Sequence, residues 1–264
     1  MAFSVNNLVI DRILGAYGMN KNDEILFAIN QVMDASLSVT SESTDATDAV
    51  GNTIMTIYRA KKAEFSASNA LFDLDLMALQ SGTTKTVAST DKVIPIPAFE
   101  EISIDGSADY TLAHEPLDGA VKVYKLNGDS SLGDVYAMSD SASETAFAYA
   151  SGKITPPTGL ISGEDRLMVV YEYNANGEEG KGAVAVISSA KDFPQTCKFV
   201  LKVLCYDPCD QETMIYALII FNNFRMSPDF DWSIATDGNH PFSGTANVDY
   251  CAANQELFRV VIPE

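Results

Sequence analysis

The sequence predicts a mainly β protein with one flanking helix. Three observations carry that reading. Short apolar-alternating runs rich in β-branched and aromatic residues recur along the chain; Gly, Asn, Asp and Pro clusters separate them; and a single segment carries helix caps at both ends. At 264 residues and 47% apolar content, the chain is long enough to bury a sizeable core without disulfides or metals.

In chain order, strand periodicity covers Glu24–Val32, Thr53–Ala60, Ala63–Ser68, Ala120–Leu126, Asp134–Met138, Leu167–Tyr173, Ala183–Ile187, Lys198–Tyr206, Met214–Asn222 and Glu256–Ile262. In Lys198–Tyr206, Phe199, Leu201, Val203 and Cys205 share one face, and Lys198 and Lys202 lie on the other. Tyr173–Gly182 reads as a hairpin connection between two strands. The helix is predicted over Asn69–Gly82, capped by Ser68 or Asn69, with Asp73 and Asp75 at its positive end and Gly82 in the left-handed stop position. Its apolar residues face two ways: Leu74 and Ala78 on one side, Phe72, Leu76 and Leu79 on the other. A helix apolar on two sides is expected to be covered on two sides. Phe72, Leu74, Leu76 and Leu79 therefore become candidates for a subunit interface.

Two stretches read as purposeful loops. One, Ser36–Gly51, turns into Ser, Thr and acid between strands, as the polar tip of a long β-hairpin. The other is Asn223–Pro241, where Asp237, Gly238 and Pro241 suggest a turn around His240. The middle of the chain opens with Pro95 and Pro97 and has the strand spacing of a small Ig-like sandwich. This divides the chain into a discontinuous host domain, 1–92 with 183–264, and an inserted domain, 93–182. No repeat of fixed period occurs.

Composition narrows the function. With 17 Lys+Arg against 36 Asp+Glu, the net charge is −19 and the pI about 4.3, which argues against nucleic acid or anionic membrane held by simple attraction. The N-terminus lacks the basic start and apolar core of a signal peptide. No apolar run reaches the length needed to cross a bilayer as a helix, and no Asn-X-Ser/Thr acceptor is present. A cytoplasmic site of synthesis is expected.

Chemistry is hard to assemble from these residues. Cys205 and Cys209 form a C-x-x-x-C, but Cys197 and Cys251 do not complete a second knuckle. Tyr206–Asp210 reads instead as a turn, with the cysteines as small buried apolar groups. No H-E-x-x-H, G-x-S-x-G or Walker loop occurs, and Gly177–Gly182 carries two acids where a phosphate would need free backbone donors. His240 could be imagined beside Asp229, Asp231 and Cys251, but a turn residue is the simpler reading; His114 reads as a polar residue at a strand end. Glu100/Glu101, Asp73/Asp75 and Asp229/Asp231 are close acid pairs of the kind that 36 acids produce by chance. No catalytic residue, cofactor or metal is assigned.

The order of phrases is more telling. A long strand pair bearing a polar, acidic tip at Thr40–Asn52 leads into Lys62–Asn69 and Phe72–Met77, and later come Lys191–Pro194, Phe221–Asp229 and Thr236–Phe242. This pattern resembles the major tail tube protein of a tailed bacteriophage, over roughly 1–92 and 183–264, with a middle similar to the Ig-like insertions some such proteins carry. The resemblance implies a tail-tube-type β-sandwich or barrel with one flanking α-helix and a long hairpin loop. Six copies would close into a ring and rings would stack into a virion tail tube, the conduit for DNA ejection, assembled in the host cytoplasm. It implies no enzyme activity and no membrane partner. The partners implied are further copies of the chain, the tape measure, terminator and baseplate or tip proteins, and genome DNA passing without specific binding. The hairpin reaching the adjacent ring maps to Ser41, Glu42, Thr44, Asp45, Asp48 and Val50. The net charge fits a wall that repels passing DNA, but it could equally lie on the tube exterior or the inserted domain. The alternatives are another virion protein, such as a head decoration or baseplate component, and an Ig-like carbohydrate- or surface-binding module.

Overall fold

The computed structural model describes residues 7–117, 120–236, 238–248, 250 and 254–263, with the backbone alone for 210–212. The chain divides into two compact units, Met1–Lys85 with Val186–Glu264, and Thr86–Ala185. The first unit opens with strands β1 (Val9–Met19), β2 (Ile25–Ile29), β3 (Val32–Thr47) and β4 (Thr53–Asn69), then helix α1 (Leu74–Gln80). The second holds β5 (Thr86–Val87), β6 (Ile94–Ser103), β7 (Tyr110–Thr111), β8 (Val121–Leu126), β9 (Leu132–Ser139), β10 (Ala146–Ala150), β11 (Lys153–Thr155), β12 (Arg166–Ala175) and β13 (Val184–Ala185). The first unit is then completed by β14 (Thr196–Asp207), β15 (Asp210–Met226), β16 (His240–Ala246) and β17 (Arg259–Val261). The protein is mainly β, as its sequence predicts.

The first unit is one sheet in the order β2-β1-β14-β15-β16-β4-β3, with β17 beside β15. Its alternating inward residues converge on a phenylalanine cluster: Phe27, Phe65, Phe199, Phe221, Phe224 and Phe242. Phe199 is the hub, with ring centroids 4.8 Å from Phe224, 5.3 Å from Phe65 and 5.7 Å from Phe221. Such pairs add about 0.5–1.5 kcal/mol each beyond area burial. Phe199, Leu201, Val203 and Cys205 all lie in this core, so the strand period read from the sequence holds.

The second unit follows the path β6-β12-β8-β9-β10-β11-β7, with β5 and β13 as a separate pair. β9 switches partner along its length: Val135 and Tyr136 pair with β8, and Ala137–Ser139 with β10. The two halves of the path share a core of Val123, Phe147, Ile154, Leu167 and Val169. Pro95 and Pro97 lie in β6, an edge strand, where a residue without an N–H removes no interior ladder bond.

Several expectations are corrected. The helix is shorter than Asn69–Gly82, and neither Ser68 nor Asn69 caps it. Both end β4, where Asn69 pairs with Val32 and His240, so the sheet ladder holds the backbone extended. Asp73 is the cap, its Oδ1 accepting from the Leu76 amide at 2.7 Å, with Asp75 in the first turn. Gly82 takes the predicted left-handed position, φ 70°. The long hairpin read over Ser36–Gly51 is present, but its turn is shorter than that stretch: β3 is strand up to Thr47, its Ser and Thr side chains lying on an exposed ribbon that polar residues tolerate. Within Asn223–Pro241, β15 continues to Met226, and His240 and Pro241 begin β16 rather than a turn. Tyr173–Gly182 does not close a hairpin, since β13 pairs with β5 and β12 with β6 and β8.

Candidate functional site

The most distinctive surface is built by β3 and β4. From Ala63 to Asn69, β4 is flanked by β16 on one side and β3 on the other. Beyond Lys62 only β3 remains, and the ladder continues from Thr40↔Lys62 to Thr47↔Thr53 as a two-stranded arm. At about 3.3 Å per residue, the ten arm residues Thr53–Lys62 span roughly 33 Å. A bulge between Thr40 and Glu42, opposite Ala60 at φ 49°, marks the departure point. Bulges bend and twist a strand pair, so this one re-aims the arm relative to the sheet.

Every arm residue from Thr40 to Lys62 is exposed except the half-buried Ile57. Register places Tyr58 opposite Ser43 and Thr56 opposite Asp45 on one face, with Ile57 opposite Thr44 and Met55 opposite Ala46 on the other. Ile54 and Met55 stand largely bare, so both faces carry uncovered apolar groups. Charge is segregated as well. Glu42, Asp45 and Asp48 lie on the β3 strand and the turn; Arg59, Lys61 and Lys62 lie on β4.

The tip is a built turn. The Asp48 Oδ1 accepts from the amides of Val50 at 2.9 Å and Asn52 at 2.8 Å, and its Oδ2 from the Asn52 side chain at 3.0 Å. These bonds, the Asn52 side chain first, hold the Asp48 carboxyl below the usual carboxylate range. Gly51 supplies φ 96°, which a Cβ disfavours. Val50 is left 87% exposed at the apex. Of the predicted hairpin residues, Ser41, Glu42, Thr44 and Asp45 thus lie along the arm, and Asp48 and Val50 form its end. The basic residues of β4 and the apolar Ile54, Met55 and Tyr58 escaped the sequence reading; the run Arg59-Ala-Lys-Lys62 was the signal for the former.

The predicted helix residues separate. Leu76 is fully buried in the core of its own unit, with Leu79 packed against that core. Leu74 is half-buried. Phe72 lies before the helix, 44% exposed, its ring stacked on Trp232 at 4.3 Å and on His240 at 5.2 Å. His240 is buried. Its Nε2 meets Gln80 Oε1 at 2.7 Å, its Nδ1 accepts from the Asp73 amide at 3.4 Å, and Gln80 donates to the Pro241 carbonyl at 3.0 Å. Both ring nitrogens are engaged by structural partners, which fixes the neutral Nε2-protonated tautomer. Burial lowers the His240 pKa, opposed by the Asp73 charge.

The YomU/Tube protein family matches the chain over residues 9–256. The chain belongs to that family. Its membership makes it a tube-type structural protein of phage origin, and the matched span takes in the arm, α1 and the whole second unit. No curated protein matches the chain.

Several other polar groups of this YomU/Tube member have structural partners, although the buried Asn69 Oδ1 and Ser81 Oγ have none among the described residues. Glu100 accepts from the Tyr171 hydroxyl and from the Ala113 amide at 3.1 Å; burial, then that Glu100 bond, raise the Tyr171 pKa. Glu101 pairs with Arg166 at 2.5 Å, and Asp75 with Lys85 at 2.7 Å. His114 follows β7 and stacks on Tyr173 at 3.8 Å. Gly177–Lys181 is a turn closed by a 3.0 Å backbone bond. Cys197 and Cys205 are buried, the Cys197 thiol pushed up to about 12 by desolvation. Cys209 corrects the expectation for the cysteines: it is exposed in the β14–β15 turn, where its amide bonds Asp207. Cys251 and Asp237 lie outside the described residues. Among the described residues no cluster of three His, Cys, Asp or Glu could hold a metal, and no helix is long and apolar enough to cross a membrane.

Proposed function

We propose that this protein is the subunit of a phage tail tube. Six copies close into a ring, rings stack, and the hollow interior passes genome DNA during ejection. It acts on no substrate; it works by joining copies of itself and, at the ends of the tube, the tape measure, terminator and baseplate proteins. Assembly takes place in the host cytoplasm and the product is the virion tail.

The observation that carries this reading is the arm. A two-stranded ribbon that exposes apolar side chains on both faces is a liability in a solitary protein and a contact in a polymer. The strands β2 and β3 at the two borders of the sheet offer the unpaired backbone groups for lateral ring closure. We assign the hairpin residues Ser41, Glu42, Thr44, Asp45, Asp48 and Val50 to the contact between rings. Phe72, with the half-buried Leu74 and Leu79, forms a second contact surface, from which the buried Leu76 is withdrawn. The sequence-derived insertion 93–182 corresponds in this reading to the unit Thr86–Ala185, an Ig-like decoration of the tube. The net charge of −19 supports passage of DNA without adsorption, since like charges repel.

The test is electron microscopy of the purified protein beside a variant lacking Thr44–Ala49. Hollow rods from the parent and none from the variant, with identical thermal unfolding, are expected. Rods from both would remove the arm from the contact between rings. Compact monomers from the parent at every concentration would remove the tube itself.

A further inference from the structure

We infer that the arm tip of one copy docks into a cleft on the next copy, lined by Lys21, Leu26, Leu79, Phe193 and Arg225. This rests on the tube reading and names the receiving surface. The cleft has a volume of about 960 Å3 and lies wholly within the first unit, between the β1–β2 turn, the end of α1 and the approach to β14.

Strand register gives the geometry. Ala63, at the arm root, pairs with Ala246; Ala246 pairs with Phe224; Phe224 pairs with Cys197. One residue on, Lys198 pairs with Met19. From this line the arm runs toward its tip in the direction in which β14 runs toward Asp207 and β15 runs back toward Asp210. Every element of the cleft lies on the other side: the turn that starts at Asn20, Thr196 and Arg225 at the start of β14 and end of β15, and α1, which follows β4 past Asn69. Tip and cleft thus occupy opposite ends of one sheet. Copies stacked by translation along the strands bring the tip of each against the cleft of the next, a heterologous contact that repeats without closing.

Chemistry matches at the two ends. The tip offers an exposed apolar apex, Val50, flanked by Asp45 and Asp48. The cleft offers apolar Leu26, Leu79 and Phe193, the last 60% exposed, beside the exposed cations Lys21 and Arg225; Asp192 is the acid on its rim. Lys198 nearby is engaged by Asp23 at 3.0 Å, whereas Lys21 has no salt bridge among the described residues. Because Asp48 ties the turn together, the apex is ordered before it docks, which lowers the entropy lost on binding.

The experiment is site-directed cross-linking in the full chain with Cys209 and Cys251 replaced by Ser. Val50→Cys protein is mixed with Gln195→Cys protein, assembled, oxidised and run on a non-reducing gel. Gln195 is an exposed cleft residue. A disulfide-linked dimer is expected in the rod fraction and not among unassembled subunits. As a control, Val50→Cys is mixed with protein retaining Cys209, which lies at the tip's own end of the sheet; no dimer is expected. Lys21→Glu should raise the concentration needed for rods roughly fivefold, in line with one exposed ion pair, and Asp45→Lys should restore it. Rods that depend on the arm but cross-link through Cys209, or through neither position, overturn the docking site and leave the tube reading intact. Absence of rods from the parent, or rods that ignore the arm deletion, overturns the reading beneath it.

Discussion

β4 behaves as two strands in one. From Ala63 to Ala67 its residues alternate between core and surface, with Phe65 among the core rings, and Ser68 and Asn69 after them are buried as well. From Thr53 to Lys62 the same backbone keeps the same partner, β3, yet only Ile57 is even half-buried. Apolar content does not separate the halves, since Ile54, Met55, Ile57 and Tyr58 are as greasy as Ala63, Phe65 and Ala67. The neighbours do. The inner half has β16 beside it and the phenylalanine cluster beneath it; the outer half has neither. Burial is therefore a property of what the rest of the chain brings to a strand, and an apolar strand left without company implies company from another chain.

The sharpest test of the contrast strikes the inner half's support. Phe199→Ala removes the ring that touches Phe27, Phe65, Phe221, Phe224 and Phe242. A loss of about 3–5 kcal/mol is expected, measured by urea unfolding, with rods lost because the subunit is lost. His240 comes next. His240→Ala strands the Gln80 carbonyl oxygen in a buried site, for about 1–3 kcal/mol. Because burial depresses the folded pKa of His240 below its ordinary 6.5, the neutral ring's contribution is fully present above about 6.5 and is lost as pH falls below it. Urea midpoints at pH 7.5 and 5.5 should diverge in the parent and converge in His240→Gln.

Legibility in the sequence followed the same divide. Lys198–Tyr206 was readable because Phe199, Leu201 and Val203 fill the core face at a period of two while Lys198 and Lys202 mark the other face, even though Val200 and Leu204 on that face are buried too. The outer part of β3 was not, because beyond Leu37 it is exposed on both faces up to Thr47 and exposure imposes no period. The helix start was misplaced by a contest invisible along the chain: Ser68 and Asn69 are good caps, but pairing with Val32 and His240, distant in sequence, holds them in the sheet. The same distance hid the His240 node, whose partners Asp73 and Gln80 lie far up the chain. For the arm, the sequence reading located the turn and its acids but not the basic Arg59, Lys61 and Lys62 on the returning strand, since only the pairing shows that the two charge sets share one ribbon.

The outer half should respond in the opposite way to the inner. Tyr58→Ser removes a ring that is 72% exposed and touches no core residue. Subunit stability should stay within about 0.5 kcal/mol of the parent, as for other surface changes, while rod yield in sedimentation falls. A stability loss comparable to that of Phe199→Ala would mean that the arm folds back on its own subunit.

The smallest effect on stability, and the most local, belongs to the tip. Gly51→Ala places a Cβ at φ 96°, where no neighbouring atom lies within 4 Å, so the penalty is backbone strain alone, about 1 kcal/mol. That strain falls on a turn which no core residue supports, so global unfolding should barely move while the Val50 and Asn52 amides exchange faster. Acid should act on the same bonds. The carboxyl of Asp48 is held below its ordinary 3.8 by the groups that donate to it, Asn52 first, so the turn is intact above that value and loosens as pH falls through the lowered one. Amide exchange resolved by residue reads both effects. Tip amides that answer to Gly51→Ala in step with those of β14 would show the arm to be an integral part of the core rather than a rod standing outside it.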